Sequence, residues 1–196
     1  MGLCGLFGHK YKGLRCERCG ALTKDVSVLR DAVAHGSYYD ALRCARQLLS
    51  LGDTGFADIV IKRGFLYGEM AVAVSGMPGE EILRELVLAI SSDALLDPNV
   101  PLGQMKFGMR ELNGIFKNLL RNHPEQATAY LHAFTEYRFF VMKDGKLRTE
   151  AGKRSFRKGY LDHQSDRVAS CAREALKGIP PERVSAAVDS LNRLTR

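Results

Sequence analysis

The stretch CGLFGHKYKGLRCERCG, residues 4–20, sets three cysteines and a histidine within seventeen residues of a chain that has only five cysteines. The spacing runs Cys4, four residues, His9, six residues, Cys16, two residues, Cys19. So short a segment cannot bury enough apolar surface to fold unaided, and something other than a hydrophobic core must hold it. A Cys-x-x-Cys turn points two thiolates at one ion while backbone amides stabilise the sulfur charge, and Gly20 suits the positive backbone angle of a tight knuckle. Cys4, His9, Cys16 and Cys19 together supply four soft or borderline ligands, which match tetrahedral Zn2+ and close its shell with protein atoms. The expectation is a structural zinc ion, whose binding energy, on the order of 10 kcal/mol, replaces the missing core. Leu3, Leu6, Phe7, Tyr11 and Leu14 are placed to form a miniature apolar cluster around it.

A redox pair is the competing reading of Cys16 and Cys19, but such a motif belongs between a strand and a helix of a βαβ unit, and no such pattern surrounds it. The stretch also resembles small zinc-ribbon segments at the start of uncharacterised bacterial and prophage proteins. The shared residues are Cys4, Phe7, Gly8, His9, Lys10, Tyr11, Cys16, Arg18, Cys19 and Gly20, with Tyr11 standing where those segments usually carry Trp. The resemblance spans about a tenth of the chain. It implies metal binding in a bacterial or phage protein and brings no activity with it.

After residue 24 the pattern changes to apolar residues at three- and four-residue spacing, punctuated by Gly and Pro. This predicts two domains, a metal-binding module over 1–24 and a mainly α-helical domain over 25–196. Asp25 or Ser27 caps a first helix that stops at Gly36, and a second carries Tyr38, Ala41, Leu42, Ala45, Leu48 and Leu49 on one stripe before Gly52. A third is expected over 55–75, with Gly64 and Gly68 marking a close approach to a neighbour. Glu80 and Glu81 sit at the positive end of a fourth. Residues 91–103, with Pro98 and Pro101, read as a loop. A fifth helix runs from Met105 to the His123-Pro124 step, and Pro124 opens a sixth. Two more are expected over 164–177 and 181–194. Residues 35–53 are similar to a tetratricopeptide hairpin, with Tyr39 packing in the turn, and fainter copies follow at intervals of about 40 residues rather than the usual 34. An all-helical hairpin-repeat body and an irregular bundle both satisfy the pattern.

Net charge is +7, and its distribution is uneven. Between residues 143 and 158 lie Lys143, Lys146, Arg148, Lys153, Arg154, Arg157 and Lys158 against Asp144 and Glu150, so this segment holds +5 of the total. Residues 139–142 and 146–149 flank Asp144-Gly145, a favoured hairpin turn, and Thr149 is expected to cap a basic helix beginning at Glu150. This order is similar to the wing of winged-helix DNA-binding domains. The helix before it, however, offers Glu125, Gln126, Thr128, His132 and Glu136 rather than a basic face, which argues against base reading. Phosphate contact without sequence readout, an acidic protein partner, and a solvated charged face remain open.

No apolar run approaches the roughly 20 residues that span a bilayer. The first residues do not form a signal-peptide pattern, and Leu6 stands where N-terminal acylation wants Ser or Thr, so a cytoplasmic setting is expected. No phosphate loop, nucleophile elbow, dinucleotide fingerprint or metalloprotease helix is present. His35, His123, His132 and His163 read as caps or surface residues, and Cys44 and Cys171 as small packing residues. The functional expectation is a noncatalytic zinc-containing adaptor or regulatory protein that binds another protein through its helical surface. The alternative is a nucleic-acid-binding regulator that uses the zinc module and the segment 143–158 together. The sequence leaves an enzyme site assembled from distant residues open.

Overall fold

The computed structural model describes residues 4, 8–96, 105–153 and 163–194. The chain is mainly α-helical with two short antiparallel hairpins, and it divides into two compact units, Met1–Phe65 and Leu66–Arg196.

In the first unit, β1 (Tyr11–Lys12) pairs with β2 (Arg15–Cys16) across a turn at Gly13, whose φ of 59° favours glycine. The chain then doubles back. Leu22 bridges Arg15, and the Thr23 amide donates to the Leu14 carbonyl at 2.9 Å. Thr23 Oγ1 accepts from the Asp25 amide, and the Asp25 carboxylate in turn accepts from the amides of Ser27 and Val28. These bonds satisfy orphan donors of α1 (Val26–His35), so the residue that ends the module also starts the helix. Gly36 and Ser37 connect α1 to α2 (Tyr38–Ser50), and α3 (Ala57–Lys62) follows. Leu29, Val33, Ala41, Ala45, Leu48, Phe56 and Val60 are buried between these helices. Arg63 completes the unit by donating to the carbonyls of Val33 and Gly36 at 2.7 and 2.9 Å, while its guanidinium lies over the Phe65 ring.

The second unit contains α4 (Gly68–Ser75), α5 (Glu80–Ala94), α6 (Met109–Asn122), α7 (Pro124–Thr135), β3 (Arg138–Lys143), β4 (Lys146–Ala151), α8 (Gln164–Leu176) and α9 (Pro181–Leu194). Helix α6 packs against α4, α7 and α8, α7 packs against α8 and α9, and β3 lies on α5. Its core is aromatic. Phe107, Phe116, Phe134, Phe139 and Phe140 are all fully buried, with Phe134 stacked on Phe139 at 5.4 Å and Tyr130 edge-on to Phe140 at 4.9 Å. A Cβ at Gly152 would overlap the Phe139 ring, so the strand can leave the sheet this close to the core only on a residue without a side chain.

Several sequence expectations are corrected. The third helix is two, because Gly64 and Gly68 adopt φ of 65° and 52° and break the backbone; they are breaks, not a close approach of intact helices. Residues 91–94, expected in a loop, extend α5, and Pro98 and Pro101 lie outside the described residues. The fifth helix begins at Met109 rather than Met105. Thr149 and Glu150 do not start a helix but continue β4, since pairing with Phe140 and Phe139 outweighs the local capping signal. Tyr39 is 73% exposed instead of packed in its turn; Tyr38 makes the turn contact, edge-on to Phe65.

Candidate metal centre

The hairpin β1–β2 fixes Cys16 at the end of a paired strand, where its side chain is 2% exposed. After it the chain turns tightly. The Gly20 amide donates to the Cys16 carbonyl at 2.8 Å with Gly20 at φ 70°, the positive angle expected of a knuckle glycine. The Glu17 amide donates to the Lys10 carbonyl, and a Lys10–Glu17 ion pair at 3.1 Å closes the same ring of residues from outside. This returns Cys19 toward His9.

Cys4, His9, Cys16 and Cys19 form one cluster in which the ligand atoms all lie within 4.8 Å of one another. Cys4 Sγ is 3.6 Å from Cys16 Sγ, and Cys19 Sγ is 3.4 Å from His9 Nδ1. A tetrahedral ion with metal–sulfur bonds near 2.3 Å and metal–nitrogen bonds near 2.05 Å requires edges of about 3.8 and 3.5 Å. The observed separations therefore fit a shared ion. They do not fit disulfides, whose sulfurs approach to about 2.05 Å, and all three cysteines are free. His9 is held in orientation by Tyr11, stacked at 5.5 Å and 25°.

The sulfurs are electrostatically unequal. Burial of Cys16 opposes its ionisation, but the Arg18 amide, His9, the Cys19 amide and the Cys4 thiol all bond to its sulfur, and the net effect lowers it to about 5. Cys4 is pushed up to about 12, first by desolvation and then by its contacts with Cys19 and Cys16. Crowded thiols share too much negative charge to ionise together. A divalent cation at their centre offsets that charge and favours all the thiolates at once.

The amide donors of Arg18 and Cys19 and the Tyr11 stack are parts of this centre that ligand spacing does not name. The Cys-x-x-Cys-Gly signature carries the first of these implicitly, because a knuckle directs its own amides at the first sulfur.

Of the basic residues, Lys143, Lys146 and Arg148 stand on the β3–β4 hairpin, and Lys153 follows β4 with its carbonyl accepting from Ser165. Arg154, Arg157 and Lys158 lie outside the described residues. Lys143 pairs with Glu150 at 2.5 Å. The helix before the hairpin, α7, is packed by α6, α8 and α9, a poor disposition for entering a nucleic-acid groove. Cys44 and Cys171 are buried, His35 and His123 stand at helix ends as the following Gly36 and Pro124 imply, His163 precedes α8, and His132 lies within α7.

No family model matches the chain, and neither the curated proteins nor the solved structures yield a match.

Proposed function

We propose that the chain is a noncatalytic adaptor whose N-terminal module is folded by a structural zinc ion and whose helical surface binds another protein. The observation that carries the first part is the pair of tetrahedral edge lengths within the Cys4, His9, Cys16 and Cys19 cluster. Three thiolates and an imidazole at those separations suit Zn2+ better than harder divalent ions, and four protein ligands leave no open position for substrate. The metal then serves folding. Zinc measured by mass spectrometry should be stoichiometric in the purified protein and lost in Cys16→Ser; a metal-free wild-type chain would sink the assignment.

Large apolar side chains standing in water support a protein partner, because aromatic and methionine side chains are enriched at interfaces. Tyr39 is 73% exposed in the first unit and Met142 is 49% exposed in the second. We take the setting to be the reducing cytoplasm of a bacterial or phage-infected cell, where thiolate ligands persist. Tagged capture from the native host, with and without nuclease, should retain a protein that survives nuclease treatment.

A second reading, a nucleic-acid-binding regulator, draws on the hairpin itself, which presents Lys143, Lys146 and Arg148 together. Steeply salt-dependent binding of duplex or single-stranded DNA, lost in Lys146→Glu with Arg148→Glu, would favour it over the adaptor.

A further inference from the structure

The β3–β4 hairpin has an alternation that can be read bond by bond. Asp144 and Gly145, at φ of 52° and 71°, form a two-residue turn, which makes Lys143 and Lys146 a hydrogen-bonded pair. Every second pair is then bonded, namely Val141 with Arg148 and Phe139 with Glu150. The Gly152 amide, donating to the Tyr137 carbonyl, continues the series, and the Phe140 amide points away from β4 and donates to Ser91 Oγ at 2.9 Å. The amides and carbonyls of Leu147, Thr149 and Ala151 therefore face outward from β4. Among the described residues β4 pairs with β3 alone, and Lys146, Arg148, Thr149 and Ala151 are exposed with Leu147 half-buried. Such a strand is an open edge.

Register decides what the edge accepts. An added antiparallel strand must meet the outward groups of residues 147, 149 and 151 with outward groups of its own. For a second copy of β4 this allows a few two-fold registers, and charge separates them. Centred on Thr149, the pairing sets Thr149 against itself, Leu147 against the second copy's Ala151, Arg148 against its Glu150 and Lys146 against its Gly152. Registers centred on Arg148 or on Glu150 set that residue against its own like charge, and one centred on Leu147 sets Lys146 against Arg148. Only the first opposes unlike charges with no like pair. Arg148 already interacts within the chain, and Glu150 pairs with Lys143 at 2.5 Å. Neither has to be released, since a guanidinium has several donors and a carboxylate accepts at both oxygens, so the new pairs extend an existing network. On the other face, Leu147 lies opposite Met142, which is 49% exposed, and the second copy's Ala151 continues that apolar row. A uniformly acidic strand fits less well, because it sets a carboxylate against Glu150.

We infer that β4 is a dimerisation edge, along which two copies of the chain pair antiparallel about Thr149 and join their hairpins into one four-stranded sheet. This goes beyond the adaptor reading and does not rest on it. One strand edge buries less than a standard interface, so association is weak, with a dissociation constant on the order of 10–100 µM.

The test uses the full-length protein. Sedimentation equilibrium from about 5 µM to 1 mM should show monomer passing to dimer. Over the same range, amide exchange read by NMR should slow at Leu147, Thr149 and Ala151 and change less at Arg148 and Glu150, which are already bonded to β3. Thr149→Pro removes the central outward donors at an edge position that tolerates proline, so association should weaken about tenfold or more while far-UV circular dichroism stays as in wild type. Arg148→Glu and Glu150→Arg should each weaken it about fivefold. An equimolar mixture of these two variants should recover association, because each copy then meets the opposite charge. A wild type that stays monomeric throughout would overturn the inference, as would a dimer indifferent to Thr149→Pro or variants that do not recover on mixing. A foreign strand on this edge would show as a monomeric protein whose captured host protein is lost in Thr149→Pro; that result overturns the dimer and leaves the adaptor reading standing. Dimerisation as described with no host protein captured supports the inference and removes the adaptor reading.

Discussion

Asp93 shows how a single carboxylate can join segments that are distant in sequence. It is buried near the end of α5, where Oδ1 accepts from the Lys106 amide at 2.9 Å and Oδ2 accepts from Gln164 Nε2 at 2.7 Å. Gln164 also donates to the Phe107 carbonyl, so the chain before α6 and the first turn of α8 are tied to one group. Desolvation raises the Asp93 carboxyl above its ordinary range, against the lowering effect of the Lys106 amide, Gln164, the Phe107 amide and the Lys106 charge. The folded state therefore holds this proton more tightly than the unfolded chain. Its contribution is largest below the ordinary carboxylate range and declines as pH rises toward the raised folded value. In Asp93→Asn that decline is absent, so the urea midpoint of the variant relative to wild type should climb as pH rises above the ordinary carboxylate range. Parallel midpoints would show that Asp93 titrates as an ordinary acid. No local pattern marks this group, since Asp93 and Gln164 are 71 residues apart and both sit in segments with ordinary polar spacing. Cys16 and Cys19 are the opposite case, legible because ligand chemistry confines them to one turn.

Elements were legible wherever their ends are set locally. Asp25 caps α1, Pro124 opens α7 and Pro181 opens α9, each at the position its side chain dictates. They were misread where a tertiary partner decides. Thr149 would cap a helix in isolation, yet its strand register against Phe140 prevails. The end of α4 falls at Ser75 as the sequence predicts, but what supports it is tertiary, because its carbonyls are served from another helix. Asn118 Nδ2 donates to Ser75 Oγ at 2.9 Å and to the Val72 carbonyl at 3.3 Å, and Asn122 Nδ2 donates to the carbonyls of Ser75 and Met77. Ser75 is fully buried, so water does not readily replace these donors. Asn118→Ala should cost about 1–3 kcal/mol and lower Tm by several degrees, whereas the exposed Lys117→Ala, one residue away, should stay within about 0.5 kcal/mol. Matching losses in calorimetry would mean that α4 does not depend on this bracket.

At the scale of the whole chain, the N-terminal module and the helical parts of the two units draw their stability from different sources. The second has a core of its own, built on Phe107, Phe116, Phe134, Phe139 and Phe140, and its helices satisfy one another's backbone ends. Among the described residues the N-terminal module of the first has no such core; besides the cluster it holds the short β1–β2 pairing, the Leu22 bridge, the Lys10–Glu17 ion pair and a few backbone bonds, among them those of Glu17 and Thr23 to Lys10 and Leu14. If zinc occupies the cluster as proposed, removing it returns crowded thiols to a segment with little else to order it. Chelation at neutral pH should therefore be local rather than global. Hydrogen exchange read by mass spectrometry should lose protection at the Cys16, Glu17, Gly20 and Thr23 amides, each of which now donates within the module. Amides of α6, α7 and α8 should keep theirs. The split follows from where the apolar surface lies: metal binding is the dominant folding term only where burial is scarce. Unchanged protection over residues 8–24 after the metal is gone would show that the hairpin bonds suffice, while collapse of protection in both units would show that the chain folds as one cooperative body.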